Sequence, residues 1–250
     1  MDIQYCSDLH LEFPDNLRLM RERPLEPKAE ILILGGDIVP FKHLKVVDWF
    51  FDYVSEHWKH VFWLPGNHEY YGSDMLDRSG AFIEKIRENV LLINNEIVEF
   101  HDLKLIFATM WTEISPRFAF DISSGVNDFH QIKVNKRKLT VETYNMMHLL
   151  SRDFIIGELA VPFEGKKVVI THHVPTFMNW QEKYKNSPLN EVFGVELFWF
   201  IEERGPDYWI YGHNHHNQAP FTIGYTTMLT NQMGYVKHGE DKAFDWGKLI

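Results

Sequence analysis

Six short runs of aliphatic, β-branched and aromatic residues recur along the chain, at positions 3–6, 31–34, 61–64, 103–109, 168–171 and 208–211. Runs of this length and composition read as buried strands. Five of them end in a short polar motif: "SDLH" after the first, "GGD" after the second, "PGNHE" after the third, "THHVP" at the end of the fifth and "GHNHH" after the sixth. In open α/β sheets, sites form where the carboxyl ends of strands meet, so these motifs are expected to converge in space.

Between the second and third runs, residues 44–58 place apolar side chains at 46, 47, 50, 51 and 54, the spacing of an amphipathic helix. Ser73 followed by Asp74 and Asp77, with Lys85 and Arg87 further on, predicts a capped helix. Thr140 is read as the cap of another helix reaching about Leu159, and 195–203 as a short one. Segment 91–109 reads as neighbouring short strands, as does the chain after Ala219. Residues 112–139, with "SSGVND" and "KVNKRK", read as a long surface loop. Alternating strands and helices predict a mixed α/β fold with a largely parallel centre. No repeat or linker divides the 250 residues, so one domain over 1–250 is expected.

Composition narrows the function classes. A hydrophobic share of 45% supplies a globular core, and no apolar run reaches the roughly 18 residues of a membrane span. The first residues, "MDIQYCSDLH", lack the basic start of a secretory leader, and Cys6 is the only cysteine, so a cytoplasmic protein without internal disulfides is expected. A net charge of -10 disfavours nucleic acid as a partner, because phosphate-backbone binders carry basic faces. A small anionic substrate stays compatible, since bound cations can reverse the sign of a site.

Spacing sharpens the candidate site. In extended chain, residues i and i+2 share a side, so Asp8 and His10 can face one point, as can His213 and His215. Neighbours point apart, so Asn67 and His68 are expected to do different work, and only one of His172 and His173 to bind a metal directly. Asp8, His10, Asp37, Asn67, one of that histidine pair, His213 and His215 offer nitrogen and oxygen donors, too many for a single four-coordinate zinc. Two metals sharing a carboxylate would use them all. Asp37, on a glycine-preceded turn, is the natural bridge.

These blocks resemble those of the calcineurin-like metallophosphoesterase superfamily, which read DxH, GD, GNH[DE], a histidine block and GHxH. Asp8 and His10 match the first, Asp37 the second, Asn67, His68 and Glu69 the third, His172 the fourth, and His213 and His215 the last. "SDLHLEF", "MWTEIS", "VNDFHQI" and "TNQMGY" agree further with a bacterial-type subgroup. The resemblance implies a four-layer double sandwich of two mixed sheets flanked by helices, with the metals at the carboxyl ends of the strands. It assigns Asp8, His10, Asp37 and His215 to one metal, and Asp37, Asn67, His172 and His213 to the other. The Asp-Arg-Gly sequence of the protein-phosphatase branch is missing, because the chain reads "GDIVPFKH" there.

The implied activity is hydrolysis of phosphomonoesters or phosphodiesters of small molecules or nucleotides. Hydroxide bridging two ions attacks phosphorus, and His68 aids the leaving group. Manganese or an iron–manganese pair is the expected metal content, with zinc, cobalt and nickel open. Two rivals are a nuclease and a non-catalytic, metal-binding interaction scaffold of the same fold. His130 and His173 are possible assistants to His68, while packing is the commoner use of residues such as His173 and His216. Trp111, Phe177 and Trp180 are candidates for the walls of a substrate cavity.

Overall fold

A computed structural model describes residues 2–250 of the chain. Thirteen strands are present among these residues: β1 (Ile3–Cys6), β2 (Ile31–Leu34), β3 (His60–Trp63), β4 (Phe82–Arg87), β5 (Val90–Asn94), β6 (Glu96–Glu99), β7 (Leu103–Ala108), β8 (Lys133–Val134), β9 (Arg137–Lys138), β10 (Lys166–Thr171), β11 (Tyr208–Ile210), β12 (Phe221–Ile223) and β13 (Thr226–Leu229). One large sheet has the order β1-β2-β3-β5-β4, the other β12-β13-β11-β10-β7-β6. In each the inner pairings are parallel, and the antiparallel strands β4, β6 and β12 lie at the edges.

Parallel strands covered on both faces carry continuous apolar runs, and period-two alternation then divides each run between two layers. Ile3, Tyr5, Ile31, Ile33 and Phe62 meet Leu105, Phe107, Val168, Ile170 and Ile210 in the core between the sheets. Their neighbours Leu32, Leu34, Val61 and Trp63 face outward, against Phe50, Phe51 and Val54 of a helix. On the far side Ile106, Val169 and Trp209 pack with Ile155 and Ile201. The result is the expected double sandwich, helices outside and two mixed sheets within. The helices are α1 (Pro14–Glu22), α2 (Asp48–His57), α3 (Ala119–Gly125), α4 (Asp128–Gln131), α5 (Val141–Ala160), α6 (Asn190–Phe193) and α7 (Phe198–Arg204). No helix among the described residues is long and apolar enough to cross a membrane.

The α5 helix starts where expected, with the Thr140 hydroxyl accepting from the Thr143 amide. The amphipathic segment 44–58 divides into a 3-10 stretch, Phe41–Val47, and α2. The helix expected after Ser73 is corrected. Asp74 caps only a 3-10 turn over Met75–Arg78, and after Gly80 the chain becomes strand β4, paired antiparallel with β5. Arg87 there serves ion pairs with Asp48 and Asp52 rather than a helix dipole. The free edge of β5 outweighs local helix signals, as tertiary pairing often does.

Segment 112–139 is also corrected. It carries α3, α4 and the β8–β9 hairpin, and buries Ile114, Ile122, Phe129, Ile132 and Leu139 in the outer core over the first sheet. The basic "KVNKRK" run is that hairpin, whose turn amides at Asn135 and Lys136 donate to the Asp74 carboxylate.

Candidate active site

Each polar motif begins within a few residues of a strand's carboxyl end, and the two sheets present these ends to one place. An isolated bridge between Ser7 and Gln232 links the chain after β1 to the chain after β13. The Asp8 and His10 amides donate to the Gly36 and Asp37 carbonyls, and the Gly212 amide to the His172 carbonyl. The motif backbones thus hold one another.

The turns that aim the side chains are left-handed. Asp8, His10, Asp37, His213 and His215 all have positive φ, between 47° and 76°. Such conformations cost about 1–3 kcal/mol each outside glycine and gather at functional sites. Extended geometry therefore does not govern the DxH and HxH spacings, and His213 and His215 join different groups of residues. Glycine is required beside Asp37 and Asn67 for close approach. A Cβ on Gly36, itself at φ +95°, would fall 2.3 Å from His172 Nδ1, and one on Gly66 would fall 2.3 Å from Asp37 Oδ1.

Three groups of side chains converge; one is His10, Glu12 and His68, and the other two hold expected metal donors. Asp8, His10 and His215 converge, with His215 Nε2 3.4 Å from Asp8 Oδ1 and 2.9 Å from His10 Nε2. Asp37, His172 and His213 form the second, with His172 Nε2 3.3 Å from Asp37 Oδ1 and 3.3 Å from Asn67 Oδ1. Asp37 stands between them, its Oδ2 lying 3.7 Å from His10 Nε2. His10 and His215 turn Nδ1 to Glu12 and Glu240, at 3.2 and 2.7 Å, so two Nε2 atoms confront each other. That contact needs a proton or a cation between them. His213 Nε2 is buried without a partner. Both features suit metal ions.

Electrostatics agrees. Burial alone would raise the Asp37 carboxyl, but the imidazoles of His172, His68 and His10 outweigh it and hold Asp37 well below the ordinary range. Burial would depress His215 and His172, yet the carboxylates against them push these rings up to about 10 and about 9. Burial instead pushes His10 and His213 down, so the cluster sets neutral imidazoles beside buried carboxylates, a donor set suited to a cation.

The calcineurin-like phosphoesterase family model matches residues 1–217. This chain belongs to that family. The side chains gathered here could hold metal ions, and they are too many for a single four-coordinate one. An uncharacterised protein, L509, of Acanthamoeba polyphaga mimivirus is 33% identical over 259 residues, covering 93% of this chain and 91% of that protein. The phosphopantetheinyl hydrolase of Mycobacterium tuberculosis superposes with a TM-score of 0.73 at 14% identity, covering 99% and 95% of the two chains, a likeness of fold.

Around this phosphoesterase cluster lies a ring of supporting groups. His68 sends its amide to Asp37 Oδ1 at 2.9 Å and its Nδ1 to Glu12 at 2.8 Å, and stacks on Tyr71. Burial opposes its protonation, but Asp37 and Glu12 prevail and raise its pKa. Glu69 accepts from the amides of Asp37, Ile38 and Gly66 and from Trp63 Nε1, and so fixes two motif loops together. Asp128 holds both the Asn67 amide, at 2.8 Å, and the Tyr71 hydroxyl, at 2.7 Å. Gln232, from "TNQMGY", accepts from the His215 amide.

Of the other histidines, only His173 touches the cluster, its ring 4.3 Å from that of His213. His173 is buried; burial and then the charge of His172 press it down to about 3, and its Nδ1 faces the Thr109 carbonyl. His130 is exposed and bonds the Ser124 carbonyl. Half-buried His216 engages only through its backbone among the described residues.

A cavity of about 470 Å³ opens over the cluster, lined by Asp37, Asn67, His68, His213 and His215 at one end. Of the aromatic candidates for its wall, Trp180 is present. Trp111 instead is buried against Tyr70, Tyr144 and His173, and Phe177 packs edge-on against Trp180 outside the lining. Sequence reading missed Glu12 and Glu240, and left open whether Tyr235, which lines the cavity, touches the site. Only the "SDLHLEF" and "TNQMGY" blocks, which contain Glu12 and Tyr235, pointed their way.

Proposed function

We propose that this protein is a dimetal hydrolase of small phosphate esters, with one ion held by Asp8, His10, Asp37 and His215 and the second by Asp37, Asn67, His172 and His213. The observation that carries the proposal is the placement of Asp37, one carboxylate oxygen toward each donor group. Manganese or an iron–manganese pair fits donors without thiolate. When bound, such ions polarise phosphoryl oxygens and lower the pKa of nearby water.

The chain's own residues supply the rest. Asp37 orients His68 through its backbone amide, and Glu12 takes the Nδ1 proton, which leaves Nε2 available at the cavity. Asp37 and Glu12 raise the His68 pKa against the effect of burial, which favours the protonated ring that a departing alkoxide needs. Tyr71 and Glu12 fix the ring plane. Glu69 and Asp128 hold the loops that carry Asp37 and Asn67; Glu69 does so from outside the cavity, whereas Asp128 also lines it.

The test is a panel of para-nitrophenyl phosphate, bis-para-nitrophenyl phosphate, cyclic nucleotides and single-stranded DNA, each with manganese and with chelator. Turnover of the small esters that chelator abolishes is expected. Inertness toward every compound at full metal load would contradict the proposal and favour a scaffold, and preferential cleavage of DNA would favour a nuclease.

A further inference from the structure

The cavity is two-sided. One end holds the cluster of imidazoles and carboxylates; the other is walled by Trp180, Tyr184, Leu189, Val192 and Phe193. Phe193 joins the two, its ring lying 5.0 Å from that of His213. Asn190 ties the wall together, accepting from Trp180 Nε1 at 3.2 Å and donating to the Tyr184 carbonyl at 2.6 Å.

Charge distinguishes the ends. Among the described residues that line the cavity none is lysine or arginine, while Asp37, Asp128 and Glu240 are acidic. Lys183 and Lys185 sit beside the wall but outside the lining: Lys183 lies over the Tyr184 ring, and Lys185 pairs with Glu182 at 2.6 Å. The uncharged polar groups lining the cavity beyond the cluster are the amides of Asn127, Gln181 and Asn190 and the hydroxyl of Ser187. A phosphoryl group at the metal end would therefore be the one anion this cavity can satisfy. A second phosphate further out would meet neutral amides, a hydroxyl and aromatic faces, without the cationic partner that a desolvated anion needs. An apolar ring would instead be covered on its faces by aromatic and aliphatic side chains.

We infer that the site selects esters bearing one phosphoryl group on a flat, uncharged, largely apolar organic moiety seated against Trp180 and Tyr184. This rests on the hydrolase reading of the same cavity, and it adds the substrate class. The same lining disfavours polyphosphates and sugar bisphosphates, whose second phosphate would find no lysine or arginine in the cavity wall.

The test separates the subsite from the chemistry. Binding of 2-naphthylmethylphosphonate and ethylphosphonate, neither hydrolysable, is measured by calorimetry on manganese-loaded protein. Turnover of 2-naphthylmethyl phosphate and ethyl phosphate is measured alongside; both release primary alcohols, so differences report the moiety and not leaving-group strength. The naphthyl compound of each pair is expected to be favoured by about tenfold or more, from the apolar area it buries. Pyrophosphate is expected to be the poorest substrate. Trp180→Ala with Tyr184→Ala, at positions that are not buried, brings both naphthyl-to-ethyl ratios toward one.

Equal binding of the two phosphonates, or pyrophosphate as the best substrate, overturns the inference. Naphthyl-selective binding without turnover of any ester keeps the subsite and refutes the hydrolase. Failure of both phosphonates to bind overturns the subsite, and if no ester is turned over either it overturns the hydrolase as well.

Discussion

Glu12 controls two histidines at once, His10 at 3.2 Å and His68 at 2.8 Å. Burial would raise its carboxyl, but the bonds from both rings outweigh burial and hold it at about 2, against an ordinary 4.5. A carboxylate whose pKa is depressed in the folded protein contributes stability that is fully present above pH 4.5 and is lost as pH falls toward 2. Metal-free Glu12→Gln should show a lower Tm at neutral pH and a shallower fall of Tm across that window; identical slopes in the two proteins would remove the role. His68→Ala should retain its metal content while kcat falls by about 10²–10⁴. Asp37→Ala should lose metal as well, read by elemental analysis beside steady-state kinetics. At this scale the convergence of these aspartates and histidines was legible, because few other uses bring the two residue types together after so many strands. Glu12 and Glu240 were not legible: a single acidic residue has no periodicity, and only the fold brings Glu240 to His215, 25 positions away.

The motif loops behave as strained connectors built for approach. Five left-handed aspartate and histidine residues aim the donors, and glycines clear the space between them. Gly66→Ala puts a methyl group into contact with Asp37 Oδ1 and His172 Nε2, at 2.3 and 2.6 Å before relaxation. Overpacking of this kind costs about 1–3 kcal/mol. The variant should melt several degrees lower and bind manganese more weakly, both measured by thermal unfolding with and without the metal. Unchanged values would mean the two side chains can separate freely. Element by element, the strands were readable because both faces of β1, β2 and β10 are buried and their runs are unbroken. Strand β4 was not readable, since Ser73, Asp74 and Asp77 give real local helix signals and only pairing with β5 overrides them. Segment 112–139 hid its role for a similar reason. Asp128 looks like a turn residue, yet it is buried and bonds Asn67 across 61 positions.

On the scale of the molecule, an acidic chain gathers its buried carboxylates and histidines where two sheets end together. The core between the sheets sets the distance from the loops after β1, β2 and β3 to those after β10 and β11. A site assembled from both sheets depends on that packing, and no single motif makes it. The aromatic wall opposite the cluster, from a segment with little regular structure, carries selectivity that family membership leaves open. The most direct test of this account is anomalous diffraction from crystals of the protein loaded with manganese. Two peaks about 3.5–4 Å apart, one on each side of Asp37, are predicted; a single ion, or ions bound away from Asp37, would contradict it.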